Sequence, residues 1–204
     1  MSARKPAPLA VIACGALAAD VRRIARAHGW PLDVHPLPAL LHNHPQRIAP
    51  AVQAQLARLR ERYLALAVAY ADCGTYGALD ELLDALGVAR LHGEHCYDVL
   101  AGQAARAALE EEPGSYLLTD FLARTFARTV WRELGLDRHP ELRDAYFGNY
   151  RRVVWLTQRP TPAIRAAAQR AAAALGLPLH ERFIGDGGLE LELARLVHSA
   201  GISP

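Results

Sequence analysis

Short apolar runs alternate with helical stretches along this chain, and that alternation constrains its fold more than any other feature. Leu9-Ala10-Val11-Ile12-Ala13 has no polar face, as expected of a strand covered on both sides. Cys14-Gly15 ends it. Leu17 to His28 then carries Leu17, Val21 and Ile24 on one helical face, and Gly29 stops it. Leu32 to His35 reads as a second strand closed by prolines, and Pro50 to Tyr63 as an amphipathic helix. Leu64 to Ala71 is the strongest strand, ended by Asp72-Cys73-Gly74 and followed by a helix from Gly77 to Leu86 that Gly87 caps. Val88 to Leu91 enters His92-Gly93-Glu94-His95-Cys96, with a helix over Tyr97 to Glu110 beyond it.

The pattern continues to the end. Tyr116 to Leu118 is a fifth strand, with Thr119-Asp120 placed to cap a helix from Phe121 to Leu134. A short helix over Pro140 to Phe147 precedes a strand at Val153 to Leu156 and a helix from Pro162 to Leu175. Leu179 to Ile184 and a helix opening at Asp186-Gly187-Gly188 and running through Val197 complete the chain. Such alternation predicts an α/β fold, a mostly parallel sheet with helices on both faces, Rossmann-like or flavodoxin-like. No linker-like segment interrupts it, so a single domain over 1–204 is expected, with a weak repeat in 150–204. A chain of this length buries a core without disulfide staples.

Charge and hydropathy narrow the function classes. A net charge of +2 makes no single-sign field, so neither nucleic acid nor a membrane is expected as a partner. No apolar run is long enough to span a bilayer. Only about six apolar residues precede Cys14, too few for a signal-peptide core, so a cytoplasmic protein is expected. In that compartment three unpaired cysteines stay reduced.

All three cysteines occupy equivalent places. Cys14, Cys73 and Cys96 each follow a predicted strand and precede a predicted helix. In parallel α/β sheets that edge, at the carboxyl ends of the strands, is where ligands bind. Neighbouring strands lie about 4.8 Å apart, so adjacency of the first, third and fourth strands would let the thiolates share one metal centre. Gly15 and Gly74 relieve crowding beside it, and Tyr97 is placed to line it. The alternative is three unrelated buried thiols, which Glu94-His95-Cys96-Tyr97 is too polar to suit. Three ligands leave a position open, either on a [4Fe–4S] cluster, the expected occupant, or on zinc, which would recruit a nitrogen from His95 or from the His42/His44 pair. His42, His44, Asp72, Glu94 and His95 are the candidates for moving protons, although Asp72 could instead bond its own loop.

Ala13-Cys14-Gly15-Ala16-Leu17, Leu41-His42-Asn43-His44-Pro45, Asp72-Cys73-Gly74, Gly93-Glu94-His95-Cys96-Tyr97 and Leu118-Thr119-Asp120-Phe121 together resemble the bacterial and archaeal domain of unknown function sixteen thirty-eight. The resemblance covers most of the chain and brings no established activity. It implies a setting near corrinoid-dependent methyltransferases and their reactivation proteins. The layout of three cysteines from separate α/β units is also similar to quinolinate synthase, as an analogy of architecture only. The expectation is a metalloprotein, leaning to an enzyme of lyase or transferase type acting on a small-molecule substrate at the open position. A zinc-thiolate methyltransferase or an accessory to corrinoid methyl transfer is the alternative enzyme-class reading. A non-enzymatic protein that binds a cofactor or a corrinoid or methyltransferase partner is another, with homo-oligomer formation left open.

Overall fold

The computed structural model describes residues 8–201. Its strands fall into two all-parallel sheets, and the chain divides into two compact units. Among the described residues, no helix is long and apolar enough to cross a membrane.

The first unit runs to Leu100 and resumes at Gly187. It contains β1 (Leu9–Cys14), α1 (Ala18–Ala27), β2 (Leu32–Leu37), α2 (Ile48–Leu59), β3 (Ala65–Ala69), α3 (Ala78–Leu86) and β4 (Ala89–Arg90). The beginning of α4 (Cys96–Glu111) follows, and α8 (Gly187–Ser199) returns after the second unit. The sheet order is β2-β1-β3-β4, the flavodoxin-like arrangement in which the first, third and fourth strands adjoin. Every residue of β1 is buried, as its unbroken apolar run predicts for a central strand. β2 continues through Pro36 to Leu37, beyond the predicted end at His35. Being an edge strand, it tolerates a residue without an N–H on its unpaired side. Gly87 closes α3 in the left-handed conformation, at φ +63°.

Glycines permit two close approaches in this unit. A Cβ on Gly15 would lie 2.6 Å from the Leu37 carbonyl oxygen and 2.9 Å from the Ala39 nitrogen, so the turn after β1 can press against the chain leaving β2 only as glycine. A Cβ on Gly188 would meet the carbonyl oxygens of Val99 and Leu100 at 2.7 and 2.9 Å. Gly188 is thus a packing point for α8 against the start of α4. The helix predicted without interruption from Tyr97 to Glu110 is broken at Gly102, whose φ of 37° and ψ of −105° are not helical. The chain leaves the first unit there.

The second unit, 101–186, holds β5 (Ser115–Thr119), α5 (Asp120–Phe126), α6 (Arg143–Phe147), β6 (Arg152–Thr157), α7 (Pro162–Leu175) and β7 (Leu179–Phe183), with sheet order β5-β6-β7. Trp155, Phe126, Phe147, Leu136 and the alanine face of α7 form its core. The predicted helix from Phe121 to Leu134 is α-helical only to Phe126 and then widens into a π-helical turn over Ala127–Trp131. Thr125 and Thr129 donate their hydroxyls to the carbonyls of Phe121 and Thr125, a back-bonding that competes with regular helix hydrogen bonds.

Thr119 caps α5 as predicted, accepting from the Leu122 N–H at 3.2 Å. Asp120, buried beside it, accepts from Trp155 Nε1 at 2.8 Å and from the backbone N–H groups of Gln158 and Arg159 at 3.1 and 3.2 Å. This one carboxylate ties the carboxyl end of β5 to that of β6. Asp120→Ala would leave those donors without a partner and is expected to destabilise the second unit by about 2 kcal/mol or more. The midpoint of denaturant unfolding measures the loss.

Candidate metal centre

Each strand of the first sheet delivers a side chain to its carboxyl edge. β1 ends on Cys14, and the 3-10 turn after β2, Ala39–Asn43, carries His42. Tyr70 and Cys73 follow β3, and Cys96 opens α4 after β4. Parallel pairing aligns these exits, with Ala13 level with both Pro36 and Ala69.

Backbone contacts lock the turns together. The N–H groups of Asp72 and Cys73 donate to the carbonyls of Gly93 and Glu94 at 3.1 and 2.7 Å, holding the β3 exit against the β4 exit. Arg90 grips Asp80 through Nε and Nη2, and donates through Nη1 to the carbonyls of Leu91 and Gly93. Asp72 accepts from the N–H groups of Gly74, Tyr76 and Gly77 and from the Thr75 hydroxyl. Burial would raise its carboxyl pKa, but the Thr75 hydrogen bond and the three N–H donors hold it below the usual range. Asp72 is therefore occupied in shaping the loop that presents Cys73. That loop needs support, because Cys73 has φ +53°, a left-handed conformation that a non-glycine residue adopts at a cost.

The result is a compact cluster. Cys73 and Cys96 Sγ are 3.5 Å apart, and His42 Nε2 lies 3.4 Å from Cys96 Sγ and 3.9 Å from Cys14 Sγ. One ligand atom from each of Cys14, His42 and Cys96 falls within 4.8 Å of the others, close enough to hold a metal ion. His42 Nδ1 is 3.0 Å from the Ala39 carbonyl oxygen. Donation of the Nδ1–H to that carbonyl leaves Nε2 for a metal, the usual arrangement of a ligating histidine. All three cysteines are free thiols, Cys14 and Cys73 buried and Cys96 half-buried.

The other residues singled out in the sequence surround this group without joining it. A Cβ on Gly74, which has φ +83°, would touch Pro45 at 3.4 Å, so the Cys73 and His42 loops pack directly. Tyr97 is half-buried in the first turn of α4. His44, Glu94 and His95 are exposed, and none belongs to the Cys14–His42–Cys96 group. The N–H groups of Glu94 and His95 both donate to Asp98, which fixes the entry to α4.

Tyr70 is the residue that sequence reasoning passed over. Its ring lies nearly parallel to that of His42, at 6.0 Å and 16°. It is wholly buried, and its hydroxyl has no hydrogen-bond partner. An unpaired buried hydroxyl costs about 1–3 kcal/mol. Burial, and then the charges of the neighbouring thiolates, push its pKa far up. The Cys14 sulfur is near enough to add to that shift as a hydrogen-bonding neighbour, yet it is not placed to satisfy the hydroxyl geometrically. The signal was a lone aromatic with a polar tip in the run Ala69-Tyr70-Ala71.

Protons are shared unevenly in the cluster. Hydrogen bonding from Cys96 overcomes burial to hold Cys14 well below the usual thiol range and Cys73 at about 5, with His42 helping both. Cys96, the donor to both, is pushed well above it. Burial alone would lower the His42 pKa, but the Cys14 and Cys73 thiolates outweigh burial and raise it to about 11. At neutral pH the metal-free cluster thus keeps a proton on Cys96 and one on His42 Nε2. A cation on these atoms must displace both. Binding is therefore expected to release about two protons per ion near neutral pH and to weaken as pH falls. Calorimetry in buffers of different ionisation enthalpy counts them.

The family model for Protein of unknown function (DUF1638) matches residues 36–191 of this chain. The match takes in His42, Cys73 and Cys96, while Cys14 lies before it. No curated protein and no solved structure matches the chain. The chain belongs to the DUF1638 family.

Proposed function

We propose that this protein is a metalloprotein in which Cys14, His42 and Cys96 hold one zinc-type divalent ion. The remaining position, flanked by Cys73, takes a small-molecule substrate. The spacing of the donor atoms carries this reading. Two thiolates on one tetrahedral zinc sit about 3.8 Å apart, and a thiolate and an imidazole nitrogen about 3.6 Å, given ordinary zinc bond lengths. The separations of 3.4 and 3.9 Å from His42 Nε2 to Cys96 and Cys14 fall on either side of that value. In a cubane each cysteine binds a different iron, which holds the sulfurs farther apart. Two sulfurs, one nitrogen and an open position form a catalytic pattern rather than a closed structural one.

An ion so held would polarise a bound oxygen or lower the pKa of a bound thiol. The transferase form of this reading, a metal-bound thiolate accepting a methyl group, is the one that suits a role in corrinoid-dependent methyl transfer. A [4Fe–4S] cluster on Cys14, Cys73 and Cys96 is the second reading, favoured by the arrival of all three sulfurs at one sheet edge.

Metal content of protein purified without oxygen or chelators tests both. About one zinc per chain is expected, lost from Cys14→Ser, Cys96→Ser and His42→Ala and largely kept by Cys73→Ser, because serine is a poor substitute for a thiolate ligand. Brown protein with iron and acid-labile sulfide, lost in Cys73→Ser and kept in His42→Ala, would replace the single ion by the cluster. Full zinc retention in Cys96→Ser would end both readings.

A further inference from the structure

We infer that Tyr70 is the hydrogen-bond donor to an anionic ligand, an oxygen or sulfur donor atom, bound at the open position of the metal held by Cys14, His42 and Cys96. This rests on the single-ion reading above. Tyr70 sits one residue beyond the end of β3, next to Ala69, which pairs with Ala13 just before Cys14. Its ring is fixed against the imidazole of His42, 6.0 Å away and within 16° of parallel. No part of the residue is exposed, and its hydroxyl makes no hydrogen bond, the nearby Cys14 sulfur not being placed to satisfy it.

Buried hydroxyls are nearly always paired, and an orphan one at a cluster of metal-ligating groups calls for a partner that arrives with the metal. The partner is an acceptor, because a neutral phenol has one O–H to give and in the metal-free cluster that O–H is unused. The stacking on His42, whose Nε2 lies among the sulfurs, keeps Tyr70 at the cluster, and all three cysteines bear on its hydroxyl. An acceptor atom on the ion would accept the Tyr70 O–H and receive a charge-assisted hydrogen bond in a dry site, where such bonds are strongest. Tyr70 would then select ligands that present an anionic donor atom over neutral ones of equal size. A metal-bound hydroxide and a metal-bound thiolate share this chemistry.

The test uses the cobalt-substituted protein, whose visible bands report the coordination of the ion. Wild type and Tyr70→Phe are each titrated with azide, as a small hard anion, and with 2-mercaptoethanol, as a thiol that binds as its anion. Wild type is expected to bind at least one of them with a spectral shift, and whichever binds more tightly tells the oxygen-type from the sulfur-type occupant. Tyr70→Phe is expected to keep its cobalt and its thiolate-to-cobalt absorption while binding that probe about tenfold more weakly. The metal-free Tyr70→Phe protein should unfold at the same temperature as wild type or higher, because it loses a hydroxyl that had no partner. Equal affinity of the two proteins for both probes would overturn the inference. So would a lower melting temperature of the metal-free variant, which would mark Tyr70 as a structural donor. Failure of wild type to take up cobalt would instead defeat the single-ion reading on which the inference stands.

Discussion

Parallel pairing in the order β2-β1-β3-β4 is the constraint on which the rest of the first unit depends. Strands that run parallel must be joined by crossovers, so every strand of such a sheet releases its chain at the same edge. Four exits then open side by side at a spacing of about 4.8 Å per strand. Two cysteines and a histidine on such exits come within 4.8 Å of one another without any unusual backbone in β1 or β2. Gly15 lets the β1 exit press on the β2 exit, and the hydrogen bonds from Asp72 and Cys73 to Gly93 and Glu94 do the same between β3 and β4.

Electrostatics explains why such a cluster suits a cation. Burial opposes charge on every member, yet two thiolates form because Cys96 donates to both and His42 takes up a proton beside them. The arrangement is a set of soft donors held at ligand spacing, with protons standing in for a positive ion. Replacing two protons by one divalent ion keeps the charge balance of the site while giving each sulfur and Nε2 a stronger partner.

Most of this was legible in the sequence, and the remainder failed for physical reasons. Cys14, Cys73 and Cys96 could be placed on one edge because each lies between a predicted strand and the helix that follows it. The adjacency of the first, third and fourth strands was a condition of that placement, and the structure supplies it in the order β2-β1-β3-β4. His42 was expected to move protons or, with zinc, to be one of the histidines that could supply a nitrogen; the structure puts its Nε2 among the sulfurs, and which histidine arrives there depends on a loop conformation not written in periodicity. The break at Gly102 and the π-turn after Phe126 depend on tertiary packing that overrides helical pattern. The separation into two sheets is equally invisible to local sequence, since β4 and β5 look alike whether or not they pair. Tyr70 was missed because its run reads as core, and only the structure reveals that its hydroxyl has no partner.

The backbone at Cys73 bears on how rigidly the cluster is held. A left-handed residue with a side chain persists only where its surroundings over-determine it. Here they do. Asp72 gathers four donors from the four residues that follow Cys73, and the Cys73 N–H is itself fixed at 2.7 Å on Glu94. Relaxing φ toward the ordinary region would swing the thiol away from Cys96 and break several of these bonds at once. Local strain is thus balanced by a loop that has no other evident purpose than to present one sulfur. Cys14 and Cys96 need no such device, because a strand end and a helix start already aim them. That asymmetry sets Cys73 apart from the other two cysteines: its position is built by a dedicated loop, at the flank of a group that three other atoms already define.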